Sequence, residues 1–229
     1  MRISGLACLT LAPHATGPPA RTRRPRLPSR CSPDMLEVGV TKSQREPECQ
    51  AWGQRGCTLD VVEARTHFAA WCIVSAPLVL GNDLTDGETM DRIWAIISNR
   101  EALAANRAWA GDAGVLAKQS AANVHMANCS WFNDDGCEHP AWMVWRKVLG
   151  GGKVAVLLMN NDDAPADVSV SWADDLPQDA LRCPPAGCAV RDVDARRDLG
   201  TFSSGFTASS VAPHDSAFLV GGGLSWLAS

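Results

Sequence analysis

The hydrophobic residues of this chain follow a helical period between residues 60 and 106, and this pattern predicts its first elements. Apolar side chains recur at helical spacing at Val61, Ala64, Phe68, Trp71 and Cys72. Asp60 and Glu63 are spaced as a capping box, which predicts the start of a helix. Pro77 predicts its end because proline lacks an N–H. The apolar run 78–80 then predicts a short strand buried on both faces of a parallel sheet.

Two more helices are predicted after this strand. Thr85 and Glu88 form a second capping-box pattern. The apolar stripe of the helix that follows consists of Met90, Ile93, Trp94 and Ile97. Asn99 is expected to cap a shorter helix that continues through Ala104. A buried strand between helices is the repeating unit of an α/β barrel or a doubly wound sheet.

From about Val115 the period of the pattern changes from 3.6 to two. Short alternating or apolar runs, separated by Gly, Pro, Asn and Asp, cover 141–148, 153–159, 168–172, 189–193, 202–208 and 216–220. This spacing predicts an antiparallel β-sandwich. Trp142, Trp145 and Trp172 lie at alternating strand positions, which is typical of a core; the alternative is an exposed platform for a sugar.

Charge is distributed unevenly along the 229 residues. Residues 1–30 contain six arginines and no acidic residue. Subtracting these six from the 21 basic residues leaves 15 against 25 acidic ones, so the remainder carries −10. Such an acidic body is not that of a nucleic-acid binder, and no apolar run approaches the roughly 20 residues that span a membrane. The Pro- and Arg-rich segment 1–32 is predicted to be a disordered leader, with a secretory signal and an arginine-rich arm as alternatives.

Six of the nine cysteines form close pairs around turn-forming residues, and this favours disulfides in an oxidising compartment. The pairs are Cys49 with Cys57, Cys129 with Cys137, and Cys183 with Cys188. The alternative is a zinc site of Cys129, Cys137 and His139, which lacks a fourth ligand. Residues 128–130 match an N-glycosylation acceptor. No phosphate loop or dinucleotide fingerprint stands out, so no cofactor is predicted.

Three segments resemble the α-galactosidase (melibiase) family, glycoside hydrolase family 27. They are Pro-Asp-Met-Leu-Glu-Val-Gly at 33–39, the helix–strand segment 67–84 with Ala-Pro-Leu-Val-Leu-Gly-Asn-Asp-Leu, and 98–106. A weaker resemblance continues to the end of the chain, at 191–193, 197–200 and 212–214. The resemblance implies an α/β plus all-β fold: the C-terminal remnant of a (β/α)8 TIM barrel at 33–114, and an antiparallel β-sandwich at 115–229.

The same resemblance implies a retaining glycoside hydrolase acting on terminal α-galactosides of oligosaccharides or glycoconjugates. Such enzymes use two carboxylates about 5–5.5 Å apart. The resemblance gives Asp34 and Met35 a role in binding the sugar; the alternative for Asp34 is a cap of the turn after Pro33. The family's two catalytic aspartates precede the matched segments, one of them in a Lys-Tyr-Asp motif, and this chain has no tyrosine. No catalytic residue is therefore assigned within it. The alternative is a non-catalytic carbohydrate-binding or structural β-sandwich module with a vestigial barrel fragment.

Other polar residues are expected to be structural. Asp83 is interpreted as a turn and cap residue rather than a second carboxylate for Asp34. Glu37 is expected in a loop. His67 should pack or hydrogen-bond on its helix, and His214 should lie in a turn of the sandwich. Aromatic residues of the helices must pack on the sandwich or form an exposed patch, so homo-oligomers are a further expectation. The cysteine pairs and the resemblance favour the secretory pathway, a lysosome or vacuole, or the extracellular space.

Overall fold

The computed structural model describes residues 36–40, 59–111, 113–126 and 137–223. Asp34, Met35, Cys49, Cys57, Cys129, the side chain of Cys137, the predicted leader and residues 128–130 lie outside this description. Three helices are α1 (Val61–Ile73), α2 (Gly87–Ile97) and α3 (Arg100–Arg107). The strands are β1 (Val115–Gln119), β2 (Asn123–Met126), β3 (Cys137–Pro140), β4 (Trp142–Gly150), β5 (Lys153–Asn160), β6 (Ala166–Ser171), β7 (Cys188–Asp192), β8 (Arg197–Phe202), β9 (Gly205–Val211) and β10 (Ser216–Gly222).

Helix α1 begins at the predicted capping box. The Asp60 carboxylate accepts hydrogen bonds from the backbone N–H groups of Val62 and Glu63, both at 2.8 Å. The Glu63 side chain accepts one from the Asp60 N–H at 3.1 Å. Thr66 and His67 are also buried, although neither belongs to the predicted apolar positions. Helix α1 packs against α2 and α3 on one side and against strands β4, β5 and β10 on the other, so little of its surface faces solvent.

Helix α2 differs from its prediction at two positions. Its N-cap is Asp86, whose carboxylate accepts hydrogen bonds from the N–H and the hydroxyl of Thr89. The predicted cap Thr85 instead donates to Asp83. Trp94 was expected in the buried stripe, but its side chain is 59% exposed, since the buried side of α2 is centred on Ile93.

The predicted buried strand 78–80 is wrong. Only Leu80 pairs with another segment, in one parallel bridge to Leu36. Val79 is 70% exposed, because no described element covers its side of the chain. The bridge is the one parallel contact in the described ranges, which otherwise pair antiparallel.

The β part is antiparallel, as predicted. Six strands form one sheet in the order β1-β4-β5-β10-β7-β8, and β6 pairs with β9 in a second, two-stranded sheet. The β6–β9 pair packs on one face of the six-stranded sheet through a core that includes Val144, Leu158, Val168 and Trp172. We call these two sheets the sandwich. The sequence pattern missed β1, β8 and the separate hairpin of β2 and β3.

The other face of the six-stranded sheet is covered by the helices. Trp145, Leu157 and Phe218 point to this side and share a core with Phe68 and Trp71 of α1. Strand β5 is consequently buried almost along its whole length. Residues on both sides of the predicted boundary at 114/115 therefore contribute to one core.

Lys147 of β4 also points toward the helices, and its side chain is almost fully buried. Its ammonium donates hydrogen bonds to the backbone carbonyls of Cys72, Ala105 and Asn106. These carbonyls belong to the last turns of α1 and α3, where helices leave acceptors unpaired and favour a positive charge. Burial lowers the pKa of Lys147 to about 8.

Candidate functional site

The segment that follows Asp34 and Met35 is fixed against the helices. The Glu37 N–H donates a hydrogen bond to His67 Nε2 at 3.1 Å, and the His67 ring stacks on Trp71 with 3.8 Å between ring centroids. The predicted packing and hydrogen-bonding role of His67 is thus confirmed. Gly39 has a φ of +76°, and a Cβ at this position would lie 2.6 Å from Ile93 Cδ1. Residues 36–39 are therefore held by both backbone pairing and close packing.

Asp83 is a turn residue, as predicted. Its Oδ1 accepts hydrogen bonds from the Thr85 N–H at 2.8 Å and the Thr85 hydroxyl at 2.7 Å. These bonds hold the pKa of the exposed Asp83 carboxyl below its ordinary value. The geometry accounts for Asp83 as local structure before α2.

A cleft of about 450 Å³ opens where α1 and α2 meet the turns next to β7 and β10. Its charged lining residues are Arg65, Arg92, Asp192, Asp194, Arg196 and Asp215. The sequence pattern did not predict this cleft, because its walls come from four segments separated by up to 150 residues. The one local signal was the dense run of charges at 191–198.

Arg65 and Asp215 form the central ion pair of this cleft. Arg65 Nη2 lies 2.7 Å from each carboxylate oxygen of Asp215, and Asp215 Oδ1 also accepts the Ser216 N–H at 2.7 Å. Asp194 lies nearby, and its Oδ2 is buried without a hydrogen-bond partner among the described residues. Burial raises the pKa of Asp194 to about 7; Arg65 opposes this shift, and Asp192 and Asp215 add to it.

His214 occupies the turn between β9 and β10, as predicted, with a φ of +59°. Its Nδ1 lies 3.3 Å from Glu63 Oε1, and its Nε2 lies 3.0 Å from Asp163 Oδ1. The hydrogen bond to Glu63 is the main cause that raises the pKa of His214, and the bond to Asp163 adds to it. His214 therefore connects α1 to two loops of the sandwich.

One predicted cysteine pair lies within the described residues, and its prediction is confirmed. Cys183 and Cys188 form a disulfide. Cys72 is a buried free thiol whose pKa is raised by burial. Within the described ranges, no three His, Cys, Asp or Glu side chains are placed to hold a metal ion; the zinc alternative involves Cys129, outside them. None of the described helices is long and apolar enough to cross a membrane.

Comparison with known proteins identifies the sandwich. The family described as the alpha galactosidase C-terminal beta sandwich domain matches residues 140–220. Alpha-galactosidase 3 of Arabidopsis thaliana is 28% identical over 185 residues, which cover 80% of this chain and 33% of that protein. The α-galactosidase of Coffea arabica is 30% identical over 194 residues, covering 82% of this chain and 38% of that protein. Residues 140–220 thus match the C-terminal sandwich domain of α-galactosidases, and the chain as a whole is similar to the C-terminal part of these proteins.

Solved structures show the same fold. Alpha-galactosidase I from Mortierella vinacea has a TM-score of 0.55 at 23% identity, covering 74% of this chain and 37% of that one. An α-galactosidase from Saccharomyces cerevisiae with raffinose has a TM-score of 0.57 at 15% identity, covering 83% and 46%. At these identities the likeness concerns architecture alone.

The α-galactosidase relationship covers only part of the related proteins. The chain spans about a third of the length of its relatives from Arabidopsis thaliana and Coffea arabica. Within the sandwich, Trp145 and Trp172 are buried, so they form core rather than an exposed sugar platform. The comparisons show similarity to α-galactosidases, and the sugar-binding roles of Asp34 and Met35 remain predictions.

Proposed function

We propose that this chain provides the C-terminal part of a retaining glycoside hydrolase that acts on terminal α-galactosides. The observation that carries this proposal is the similarity to α-galactosidases over about 80% of the chain, which extends well beyond the matched sandwich domain. The Cys183–Cys188 disulfide supports a secretory or vacuolar setting, where disulfides persist.

We assign the helices and the Leu36–Leu80 bridge to the last part of a TIM barrel. The support is the parallel sense of this bridge and the helices that follow and flank it. Parallel strands joined by helices are the building units of such barrels, whose active sites lie at the carboxyl ends of the strands. In this arrangement Asp34 and Met35 would line the sugar site, directly before the anchored segment 36–39.

The catalytic pair is proposed to lie outside residues 1–229. Retaining enzymes need a free nucleophilic carboxylate and an acid/base about 5–5.5 Å apart. Asp215 does not offer a free nucleophile, because both of its oxygens are bound by Arg65 and one also accepts a backbone N–H. The resemblance at 33–106 corresponds to barrel segments that follow the family's two catalytic aspartates.

A chimera tests this proposal. Residues 33–229 would replace the matching C-terminal part of the Coffea arabica α-galactosidase, and hydrolysis of an aryl α-galactoside would be measured. We expect turnover by the chimera and none by residues 1–229 alone. Asp34→Asn should lower kcat/KM by about tenfold or more, which corresponds to loss of a charged hydrogen bond to the sugar. Asp83→Asn is the matched control.

Two outcomes would contradict the proposal. Turnover by the chain alone would place a catalytic pair inside residues 1–229. Equal kcat/KM values for the Asp34→Asn and Asp83→Asn chimeras, at equal thermal midpoints, would remove Asp34 from the sugar site.

A further inference from the structure

Where α1 meets the sandwich, two titratable residues, His214 and Asp194, have surroundings that favour their protonated forms. His214 contacts Glu63 of α1 across the interface. Asp194 lies in the neighbouring cleft, beside the Arg65–Asp215 ion pair that also joins α1 to the sandwich. We propose that this interface is stabilised by acid: a protonated His214 joins Glu63 to Asp163, and a protonated Asp194 avoids repulsion among the cleft carboxylates. This inference concerns residues of this chain alone and does not depend on the proposed catalytic function.

The contacts of His214 require two donors. Each ring nitrogen lies 3.0–3.3 Å from a carboxylate oxygen. A neutral imidazole has one N–H, whereas the imidazolium has two, and an ionised carboxylate only accepts. Both contacts are therefore hydrogen bonds only when His214 is protonated. Deprotonation leaves one carboxylate, Glu63 or Asp163, facing a nitrogen lone pair.

The environment of Asp194 favours the neutral carboxylic acid. Its Oδ2 is buried and accepts no hydrogen bond from the described residues. Asp192 and Asp215 are like charges at the same cleft, and Arg65 is already paired with Asp215. Ionisation of Asp194 would add a third negative charge next to one engaged guanidinium. Arg92 and Arg196 also line the cleft and are its other cations.

His214 and Asp194 both lower the stability of the folded state as pH rises. The pKa of His214 is raised, so its stabilisation is fully present below the ordinary histidine value of 6.5 and is lost as pH rises through the folded-state pKa. The pKa of Asp194 rises from 3.8 to about 7, so the folded state retains a proton that the unfolded state loses. Stability therefore falls between about pH 4 and 7 on account of Asp194.

Two other residues, His139 and Glu63, also contribute to the pH dependence of stability. Burial lowers the pKa of His139, and this favours the fold as pH rises, opposite to His214. The pKa of Glu63 is lowered by its bonds to His214 and Asp60 in spite of its burial, so its contribution is lost only in stronger acid. His139 and Glu63 are present in the wild type and in each variant. Comparing their stabilities at the same pH therefore leaves the contribution of His214 or Asp194.

The test compares thermal unfolding of the full chain at pH 5.0 and pH 7.5. His214→Asn suits the left-handed backbone and removes the ionisable ring, and Asp194→Asn is isosteric and neutral. His125→Asn is the matched control, because His125 pairs with Glu138 inside the separate β2–β3 hairpin.

Opposite pH trends are expected for the two variants. His214→Asn should lower the midpoint at pH 5.0 by at least about 3 °C and by less at pH 7.5. Asp194→Asn should raise the midpoint relative to the wild type, and this advantage should grow toward pH 7.5. His125→Asn should change the midpoint little at either pH, because its contact with Glu138 is largely exposed to solvent.

A purely structural role would overturn the proposal. In that case each variant would shift the midpoint equally at both pH values. NMR of the wild type with labelled histidine keeps the test valid even if a variant misfolds. A His214 resonance that titrates above 6.5 supports the proposal, and one that titrates at or below 6.5 refutes it.

Discussion

Asn99 joins the helices to the sandwich through a single side chain, and its removal should be unusually costly. Its Oδ1 accepts hydrogen bonds from the N–H groups of Glu101 and Ala102, which caps α3. Its Nδ2 donates to the Val193 carbonyl at 2.8 Å, in a buried contact 94 residues away in the chain. Asn99 is itself almost completely buried. The change Asn99→Ala removes the cap and the long-range bond together.

The size of the effect follows from these two parts. Loss of an N-cap side chain costs about 1 kcal/mol, with a range of roughly 0.5–2. A buried carbonyl left without a donor, here that of Val193, costs about 1–3 kcal/mol more. The sum is about 1.5–5 kcal/mol for Asn99→Ala. Asn99→Ser keeps a capping oxygen but is too short to reach Val193, so we expect about 1–3 kcal/mol for this change.

Urea unfolding followed by far-UV circular dichroism measures these differences. Asp86→Ala is the matched control, because Asp86 caps α2 through contacts within its own helix and should cost about 1 kcal/mol. Equal costs for Asn99→Ala and Asp86→Ala would refute the reasoning, because the bond to Val193 would then contribute nothing. A change in the slope of the unfolding free energy against urea concentration would indicate a loss of two-state unfolding. Only the midpoints would then be compared.

Two further changes test other contacts of the helices. Lys147→Met leaves three helix-terminal carbonyls without their donor, so it should cost about 1–3 kcal/mol at pH 7 after relief of the buried charge. Because the folded-state pKa of Lys147 is lowered to about 8, wild-type stability should rise above pH 8 and the cost of Lys147→Met should grow. Urea unfolding at pH 7 and 9.5 measures this, with Lys118→Met, at the partly buried ion pair with Asp175, as the control. Gly39→Ala should destabilise by about 1–3 kcal/mol, since it adds a Cβ against Ile93 at a left-handed position; an unchanged unfolding midpoint would contradict the placement of residues 36–40.

Helix starts were predictable where the signal is local. The capping box of Asp60 and Glu63 and the cap of Asn99 involve partners within three residues, so residue type and spacing suffice. The same pattern failed at Thr85, because the preceding Asp83 binds its N–H and hydroxyl and leaves Asp86 as the cap. A short motif alone does not determine which of two neighbouring capping residues is used.

Burial was less predictable because it depends on distant segments. Val79 lies in an apolar run, but the described structure places neighbours on only one of its sides. Thr66 and His67 lie outside the apolar positions of the helical pattern. Both are buried because partners far along the chain, Ser216 for the Thr66 hydroxyl and Glu37 for His67, satisfy their polar atoms.

The charged contacts between α1 and the sandwich could not be predicted from sequence patterns, because their partners are also distant in the chain. His214 was correctly predicted in a turn from its local context. Its partner Glu63 is 151 residues away, and the partner of Arg65 is 150 residues away. Nothing in the spacing of these residues indicates that they meet. Asp34 and Met35 were found only through the resemblance, and their roles stay predictions.

The central strands of the six-stranded sheet are covered on both faces, and this limits how segments of the chain can be exchanged between related proteins. Residues 140–220 match a domain family, yet Trp145, Leu157 and Phe218 of this segment form a core with α1. A crossover near residue 115 would join a sheet to foreign helices and leave mismatched apolar surfaces, which promote association. Exchange of whole functional parts should therefore keep α1–α3 with the sandwich. The segment that can be exchanged as a whole is the sandwich together with the helices that cover it.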